Sequence, residues 1–192
     1  MRRIAAALAV VVALLFSAGS AWADSDDYLA AQAARLQEWR ALAEQGDPVA
    51  QFDLGTLYRA GYGQVVPQND AEAMKWFRKS AEQGLAKAQF FVGFMYDNGM
   101  GVPKNDAEAV KWYRKAAEQG HEYSQLSLGR MYWKGKGVPV NYVKAYMWWS
   151  LATAQGVEST ADSLEFLSKQ MTHDQIAKAQ ELAAEWWKKH ND

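Results

Sequence analysis

The chain is dominated by a repeat with a period of 36 residues. Three similar stretches end in glycine, and this period separates Gly84, Gly120 and Gly156. The same period separates Trp76, Trp112 and Trp148. A fixed period in this range is the signature of a solenoid built from stacked supersecondary units. Such arrays mostly present an extended surface to a partner, so the pattern predicts a binding protein rather than an enzyme.

The first 23 residues have the pattern of a secretory signal peptide. Arg2 and Arg3 form a basic start, residues 4–16 are an apolar run, and Ala21-Trp22-Ala23 fits an A-x-A cleavage site. The alternative is a transmembrane anchor, but a run of about 13 residues is too short to cross about 30 Å of hydrocarbon. We therefore expect cleavage before Asp24 and a periplasmic or secreted protein without stable membrane insertion.

Charge and cysteine content narrow the classes of partner and of stabilising bond. The chain has 21 Lys and Arg residues against 22 Asp and Glu residues, and it has no cysteine. Because no basic tract is present, nucleic acid is not expected as a partner. Disulfides are excluded, so burial of apolar surface must stabilise the fold. Nine Trp, nine Tyr and seven Phe residues supply much of that surface.

The first helix of each repeat is predicted over about 48–60, 86–98 and 122–134. Asp47 and Pro48 open the first of these helices, since Asp is a good N-cap and Pro suits the first helical position. Each helix contains a Leu-Gly or Val-Gly pair, with the glycines at Gly55, Gly93 and Gly129. Glycine costs a helix about 1 kcal/mol of propensity. Its recurrence predicts a neighbouring helix too close for a Cβ atom.

A second helix is predicted after a Gly-x-Gly loop and a Val-Pro pair. Gly-x-Gly alone is a weak phosphate-binding signal, and no strand precedes it, so we interpret the loop as a helix end followed by a stop. Asn69 and Asn105 each precede a glutamate by three residues, which is typical of a capping box. In the third repeat Asn141 is kept, but Lys144 replaces the glutamate.

The repeats resemble the Sel-like repeat, a relative of the tetratricopeptide repeat found in many exported bacterial proteins. The matching text is Ala-x3-Leu-Gly-x-Leu-Tyr-x2-Gly-x-Gly, then Val-Pro, then Ala-x3-Trp-Phe/Tyr-x-Lys-Ala-Ala-Glu-Gln-Gly, over residues 47–156 and most fully in 85–120. The resemblance implies an all-α fold, a right-handed α/α solenoid of three helix-pair repeats with helical caps at both ends. It transfers no catalytic residue, and the cysteines of many relatives are missing here.

The expected organisation is a signal peptide, a cap, three repeats and a second cap. The boundaries are 1–23 for the signal peptide, 24–46 for a half-repeat capping helix, 47–84, 85–120 and 121–156 for the repeats, and 157–192 for the C-terminal helical cap. Residues 39–46 align with 113–120, which predicts a helix over about 27–45. Two further helices are predicted over about 160–171 and 172–189, with Leu164 and Leu167 facing inward.

No catalytic, metal or cofactor-binding residue is predicted. His121, His173 and His190 are the only histidines, and none pairs with another at metal-ligand spacing. Ser124 and Ser127 lie near His121 in sequence, but no nucleophile motif such as G-x-S-x-G is present beyond the signal peptide.

Variation between repeats predicts where a partner binds. The recurring tryptophans are assigned to the core, whereas Trp133 does not recur. Four positions of the first helix vary and lie within about 60° of one another at 100° per residue. In the three repeats these positions are Val49, Asp53, Thr56 and Ala60; Lys87, Phe91, Phe94 and Asn98; and Tyr123, Ser127, Arg130 and Lys134. The resemblance places the first helices on the concave side, which makes this stripe the floor of a groove.

The predicted partner-binding residues are Lys87, Phe91, Phe94, Asn98, Tyr123, Arg130 and Lys134. Exposed aromatic and arginine side chains are the kind that anchor interfaces. The alternative is that Phe91 and Phe94 pack against a terminal helix folded over the groove. The expected function is that of a monomeric, non-catalytic adaptor or regulator binding a protein or peptide. The alternatives are a cell-envelope enzyme, either β-lactamase-like or peptidoglycan-acting, and a structural accessory of the cell wall or outer membrane.

Overall fold

The computed structural model describes residues 26–62 and 65–191, so the predicted signal peptide lies outside the described residues. Within them the backbone forms nine α-helices, one 3₁₀ turn and a single isolated β-bridge between Tyr62 and Val66. The helices are α1 (Asp26–Glu44), α2 (Pro48–Ala60), α3 (Asp70–Glu82), α4 (Ala86–Asn98), α5 (Asp106–Glu118), α6 (Glu122–Lys134), α7 (Tyr142–Ala154), α8 (Ala161–Ser168) and α9 (His173–Asn191). The all-α prediction is confirmed.

The helices stack as pairs along the chain. Helices α2 and α3, α4 and α5, and α6 and α7 pack closely within each pair, and α3 with α4 and α5 with α6 join successive pairs. Helix α1 packs on α2, and both α8 and α9 pack on α7. Because each pair contacts its neighbours in sequence order, the architecture is the predicted solenoid.

The predicted helix caps are present. Asp47 Oδ1 accepts hydrogen bonds from the backbone N–H groups of Val49 and Ala50, both at 2.8 Å. Asn69 caps α3 and Asn105 caps α5. Asn141 also caps α7, through Lys144 N at 2.9 Å. No glutamate completes a capping box in the first two repeats, because the N–H groups of Asn69 and Asn105 donate to the carbonyls of Tyr58 and Tyr96. The capping-box prediction is therefore wrong for α3 and α5, and Lys144 costs α7 no cap bond.

The glycine in each Leu-Gly or Val-Gly pair faces an aromatic ring of the paired helix. A Cβ atom on Gly55 would lie 2.7 Å from the ring of Phe77, and one on Gly93 would lie 2.8 Å from the ring of Tyr113. On Gly129 it would lie 2.4 Å from Cδ1 of Trp149. The prediction that these glycines mark close helix contacts is confirmed.

A buried glutamine pair joins each repeat to the preceding helix, and the sequence patterns above did not predict it. Gln89 Nε2 donates to the carbonyl oxygen of Ala81 at 3.1 Å, while Gln89 Oε1 accepts from Gln119 Nε2 at 2.7 Å. The same two bonds recur for Gln51 with Gln83 and for Gln125 with Gln155. The acceptor carbonyls lie in last helical turns, where each also accepts one bond from the N–H of the glycine that follows the helix: Gly46, Gly84 or Gly120.

Helix α1 contacts the first repeat as a second helix contacts the repeat that follows it. The carbonyl of Ala43 accepts the side-chain bond of Gln51 at 3.0 Å. Arg40 Nη2 donates to the hydroxyl of Tyr58 at 2.6 Å, and Arg114 donates to Tyr132 in the same way at 2.9 Å. These shared contacts explain why a half-repeat suffices to cover the start of the array.

The C-terminal helices cover the outer face of the third repeat. On α3 and α5 this face carries charged residues at Lys75, Arg78, Lys79 and Glu82 and at Lys111, Arg114, Lys115 and Glu118. On α7 the same positions are Met147, Ser150, Leu151 and Ala154. Helix α9 packs against α7, with the Trp186 ring 6.5 Å from that of Trp148. The loss of charge therefore matches the face that is covered.

The two C-terminal helices differ in how closely they follow the prediction. Helix α9 begins at the predicted position with a capping box, since Thr172 N donates to Gln175 Oε1 at 2.9 Å and Gln175 N donates to Thr172 Oγ1 at 3.3 Å. The preceding segment is shorter than predicted, with a 3₁₀ turn at Glu158–Thr160 and α8 ending at Ser168. Leu167 is fully buried and Leu164 packs against the core, as expected.

The tryptophans divide by repeat. Trp112 and Trp148 are buried, each with 7% of its surface exposed, as predicted. Trp76 is only half-buried at the edge of the N-terminal cluster, with Lys79 Nζ 4.1 Å from its ring centre. Trp133 contacts Trp149 and Phe166, both at 6.0 Å between ring centres. It does not recur because its neighbour is the C-terminal cap.

Candidate functional site

The variable positions lie together on what we call the first-helix face, the surface of α2, α4 and α6 that carries the twelve residues named above. Ring contacts join these helices side by side: Phe52 to Phe91 at 5.6 Å, and Phe90 to Tyr123 at 6.3 Å. The exposed residues of the face are Val49, Lys87 and Tyr123 at the helix starts and Ala60, Asn98, Arg130 and Lys134 toward the helix ends. The structure thus brings the predicted residues onto one surface but exposes only some of them.

Phe91 is part of the interface between the first two repeats rather than an exposed anchor. Its ring stacks on Phe77 at 5.0 Å with an interplanar angle of 14°, and the guanidinium of Arg59 lies 5.0 Å from its centre. Phe77 has no exposed surface. The expectation that Phe91 is exposed was therefore wrong, because neighbours from two other helices half-bury it.

Phe94 is also half-buried, and no terminal helix covers it. Its ring packs beside Phe90 at 6.3 Å, against the cluster that contains Tyr113. Helices α8 and α9 instead pack on α7. The alternative in which a terminal helix folds over Phe91 and Phe94 is contradicted, and the phenylalanines are buried by the repeats themselves.

Arg130 holds a buried carboxylate. Its Nη2 donates to Asp97 Oδ2 at 2.6 Å, and Asp97 is only 7% exposed. Burial and the nearby Asp97 raise the pKa of the Tyr113 hydroxyl well above its usual value. Arg130 is therefore required by the contact between the second and third repeats, although 47% of its side chain remains exposed.

The other predicted residues at the helix ends have lighter constraints. Asn98 Nδ2 donates to the carbonyl of Phe94 at 2.8 Å, and Lys134 Nζ lies 5.2 Å from the ring centre of Trp133. Both side chains are exposed. They are available to a partner without loss of core packing.

A cleft of about 470 Å³ opens where the starts of the first helices meet. Its apolar wall includes Val49, Phe52 and Leu85, and its polar lining includes Asp53, Lys87, Gln119 and His121. Val49 is 53% exposed, which is unusual for a valine in a helix of this array. Ligand pockets are mostly apolar with a few polar groups that fix orientation, and this cleft has that composition.

Asp53 is a half-buried carboxylate inside the cleft. Burial is the main cause that raises its pKa, the charge of Asp47 adds to it, and Lys87 partly opposes it. Among the described residues, no hydrogen bond or ion pair reaches the carboxylate. Asp53 is one of the variable positions, but it is not among the predicted partner-binding residues.

His121 serves as an N-cap rather than as a catalytic base. Its Nδ1 accepts a hydrogen bond from Ser124 N at 3.3 Å and lies 3.0 Å from Ser124 Oγ, and burial lowers its pKa. Ser124 has no exposed surface, so its hydroxyl cannot meet a substrate. The ring of His121 lies 5.0 Å from that of Phe90 and forms one side of the cleft.

Residues 26–62 and 65–191 contain neither a cluster of metal ligands nor a membrane-spanning helix. Over that part of the chain, no three His, Asp or Glu side chains are grouped so that they could hold a metal ion. No helix in the same ranges is both long enough and apolar enough to cross a membrane.

Comparison with known proteins extends these observations. The model of the Sel1 repeat family matches residues 48–85, 86–121 and 122–157. A solved Sel1 repeat protein from Oxalobacter formigenes is 38% identical, with a TM-score of 0.63 over 71% of this chain and 57% of that one. A protective antigen of uropathogenic Escherichia coli strains with an SLR fold is 29% identical, with a TM-score of 0.61 over 81% and 41%.

Curated relatives match over a shorter segment. Chitin synthase regulator SKT5 of Malassezia restricta is 42% identical over 59 residues, which are 31% of this chain and 4% of the relative. Chitin synthase regulatory factor 3 of Schizosaccharomyces pombe is 45% identical over 60 residues, which are 31% of this chain and 6% of the relative. The chain thus spans a small part of these relatives' length.

Three consecutive matches of one family model cover more than half of the chain. The protein therefore belongs to the Sel1 repeat family, whose repeats are in general modules of protein interaction.

Proposed function

We propose that this protein is a non-catalytic adaptor or regulator that binds a protein or peptide through its first-helix face. The observation that carries the proposal is the cleft at the helix starts, which exposed Val49 and Lys87 line and exposed Tyr123 adjoins. An apolar patch rimmed by polar groups is typical of an interaction site. In tetratricopeptide-like arrays this face is the concave one, which can surround an extended segment.

We further propose that binding takes place in the bacterial periplasm. The support is the signal-peptide pattern in residues 1–23, with its short apolar run and A-x-A site. The matched segments of fungal proteins named as chitin synthase regulators are consistent with a regulatory role for such repeats. A partner in the cell envelope fits both observations.

Site-specific photo-crosslinking in the native compartment tests the proposed face. A benzophenone amino acid at Tyr123 should give a discrete crosslinked partner band, because Tyr123 is 53% exposed beside the cleft. The same probe at Lys111, which is exposed on the outer face of α5, is the matched control. A band from Lys111 and none from Tyr123 would place the binding surface on the other side of the solenoid.

A further inference from the structure

We propose that the cleft binds an arginine or lysine side chain of the partner polypeptide, with the aliphatic stem against Phe52 and Leu85 and the cation at the carboxylate of Asp53. This inference rests on the proposed function and specifies the chemistry of the partner. The main contact with the partner then lies in the cleft at the helix starts rather than at Phe91, Phe94 and Arg130.

The shape of the cleft suits a long side chain with a charged end. A volume of about 470 Å³ is within the range of small-ligand pockets. The wall next to Asp53 is apolar, with Val49, Phe52 and Leu85. Arginine and lysine bury their methylene stems along apolar surface while the cation remains with a polar group, and this arrangement matches the lining of the cleft.

The charges in the cleft favour a cation over an anion. Asp53 is half-buried and unpaired among the described residues, and Asp47 adds a second negative charge nearby. Lys87 is exposed and forms no ion pair within the described residues, and it lowers the pKa of Asp53 by less than Asp47 raises it. His121 is kept uncharged near neutral pH because burial lowers its pKa. An unpaired carboxylate in an apolar cleft is stabilised by a partner cation.

The experiment uses small probes so that no partner need be known. N-acetyl-arginine methylamide is titrated into the protein without its signal segment, and backbone amide signals are followed by NMR. We expect saturable shifts at residues 52, 53, 86 and 87. Asp53→Asn should weaken binding about tenfold or more, since a charge-assisted hydrogen bond is lost. Asp162→Asn, an exposed change on α8, should leave binding unchanged.

A neutral probe and a negatively charged probe test whether the cleft selects a positive charge. N-acetyl-citrulline methylamide has the same shape without the charge and should bind much more weakly. Equal binding of citrulline, an unchanged affinity in Asp53→Asn, or tighter binding of N-acetyl-glutamate methylamide would overturn the proposal.

The proposed function is judged separately. Loss of the arginine shifts together with a retained crosslink from Tyr123 would reject the basic side chain and keep the interaction face. Arginine shifts that depend on Asp53, without any crosslink from Tyr123, would support the cleft chemistry and reject the wider face.

Discussion

Gly129→Ala offers a direct test of how the helix pairs are packed. The new Cβ would lie 2.4 Å from Trp149 Cδ1, about 1 Å inside an ordinary contact. Trp149 is only 3% exposed, and its Nε1–H donates to the carbonyl of Leu126 at 3.1 Å, so the ring cannot move without straining that bond. Overpacking costs about 1–3 kcal/mol. The gain in helix propensity opposes it by about 1 kcal/mol.

The two terms act in opposite directions, so the sign of the stability change identifies the larger one. We expect Gly129→Ala to lower the free energy of unfolding by up to about 2 kcal/mol in urea titrations, which is the overpacking cost less the gain in propensity. Gly93→Ala, whose Cβ would lie 2.8 Å from Tyr113, should lose less. In a Trp149→Leu background the loss on Gly129→Ala should shrink, because the indole ring is gone. A gain of about 1 kcal/mol from Gly129→Ala alone would refute the close-contact argument.

Four further predictions concern a buried glutamine, the ion pair of Arg130 with Asp97, the His121 cap and the start of the exported chain. Gln89→Leu should destabilise the fold by about 1–3 kcal/mol by removing two hydrogen bonds of a buried side chain, whereas exposed Gln37→Leu should change little in the same urea titration. Arg130→Ala should lower the free energy of unfolding by about 1–2 kcal/mol, which is less than for a fully buried ion pair because Arg130 is half-exposed. Adding Asp97→Asn should recover part of that loss, because it removes the buried charge left without its partner. The pKa of His121 lies below its ordinary value of 6.5. The stability that neutral His121 contributes is therefore complete above pH 6.5 and is lost as the pH falls through the lowered pKa. His121→Asn keeps a capping side chain and should flatten the dependence of the urea midpoint on pH between about 7.5 and 5. Intact-mass measurement of the exported protein should show a chain that begins at Asp24, and a full-length mass would contradict cleavage.

The repeat architecture could be predicted because its determinants are local and recur. The first-helix bounds of 48–60, 86–98 and 122–134 agree with α2, α4 and α6, since a glycine ends each helix and side-chain caps begin α2 and α6. The segment after Gly156 was predicted less well, because its period is lost and no glycine ends α8. A signal for the C-terminal cap was nevertheless present in the replacement of outer-face charges by Met147, Ser150, Leu151 and Ala154.

The hydrogen bonds of the glutamine pairs were not predicted, although the glutamines recur in the sequence. Gln51, Gln89 and Gln125 recur at the repeat period, so the sequence contained the signal. Glutamine is mostly a surface residue, and a recurring polar position in a helix is easily assigned to solvent. The partners are carbonyls and side chains of another helix, which only the packed structure identifies.

The candidate site was predicted in part because variation between repeats has two causes. A position varies when it faces a partner, but it also varies when it contacts an unlike neighbouring repeat. Arg59 over Phe91 and Arg130 at Asp97 are contacts of the second kind, and each exists between only one pair of repeats. A variable position therefore predicts partner binding only with further observations. The first is that its side chain is exposed, and the second is that it has no bonding partner within the chain. Lys87 and Tyr123 meet the first of these conditions, and Asp53, half-buried and unpaired in the described structure, meets the second.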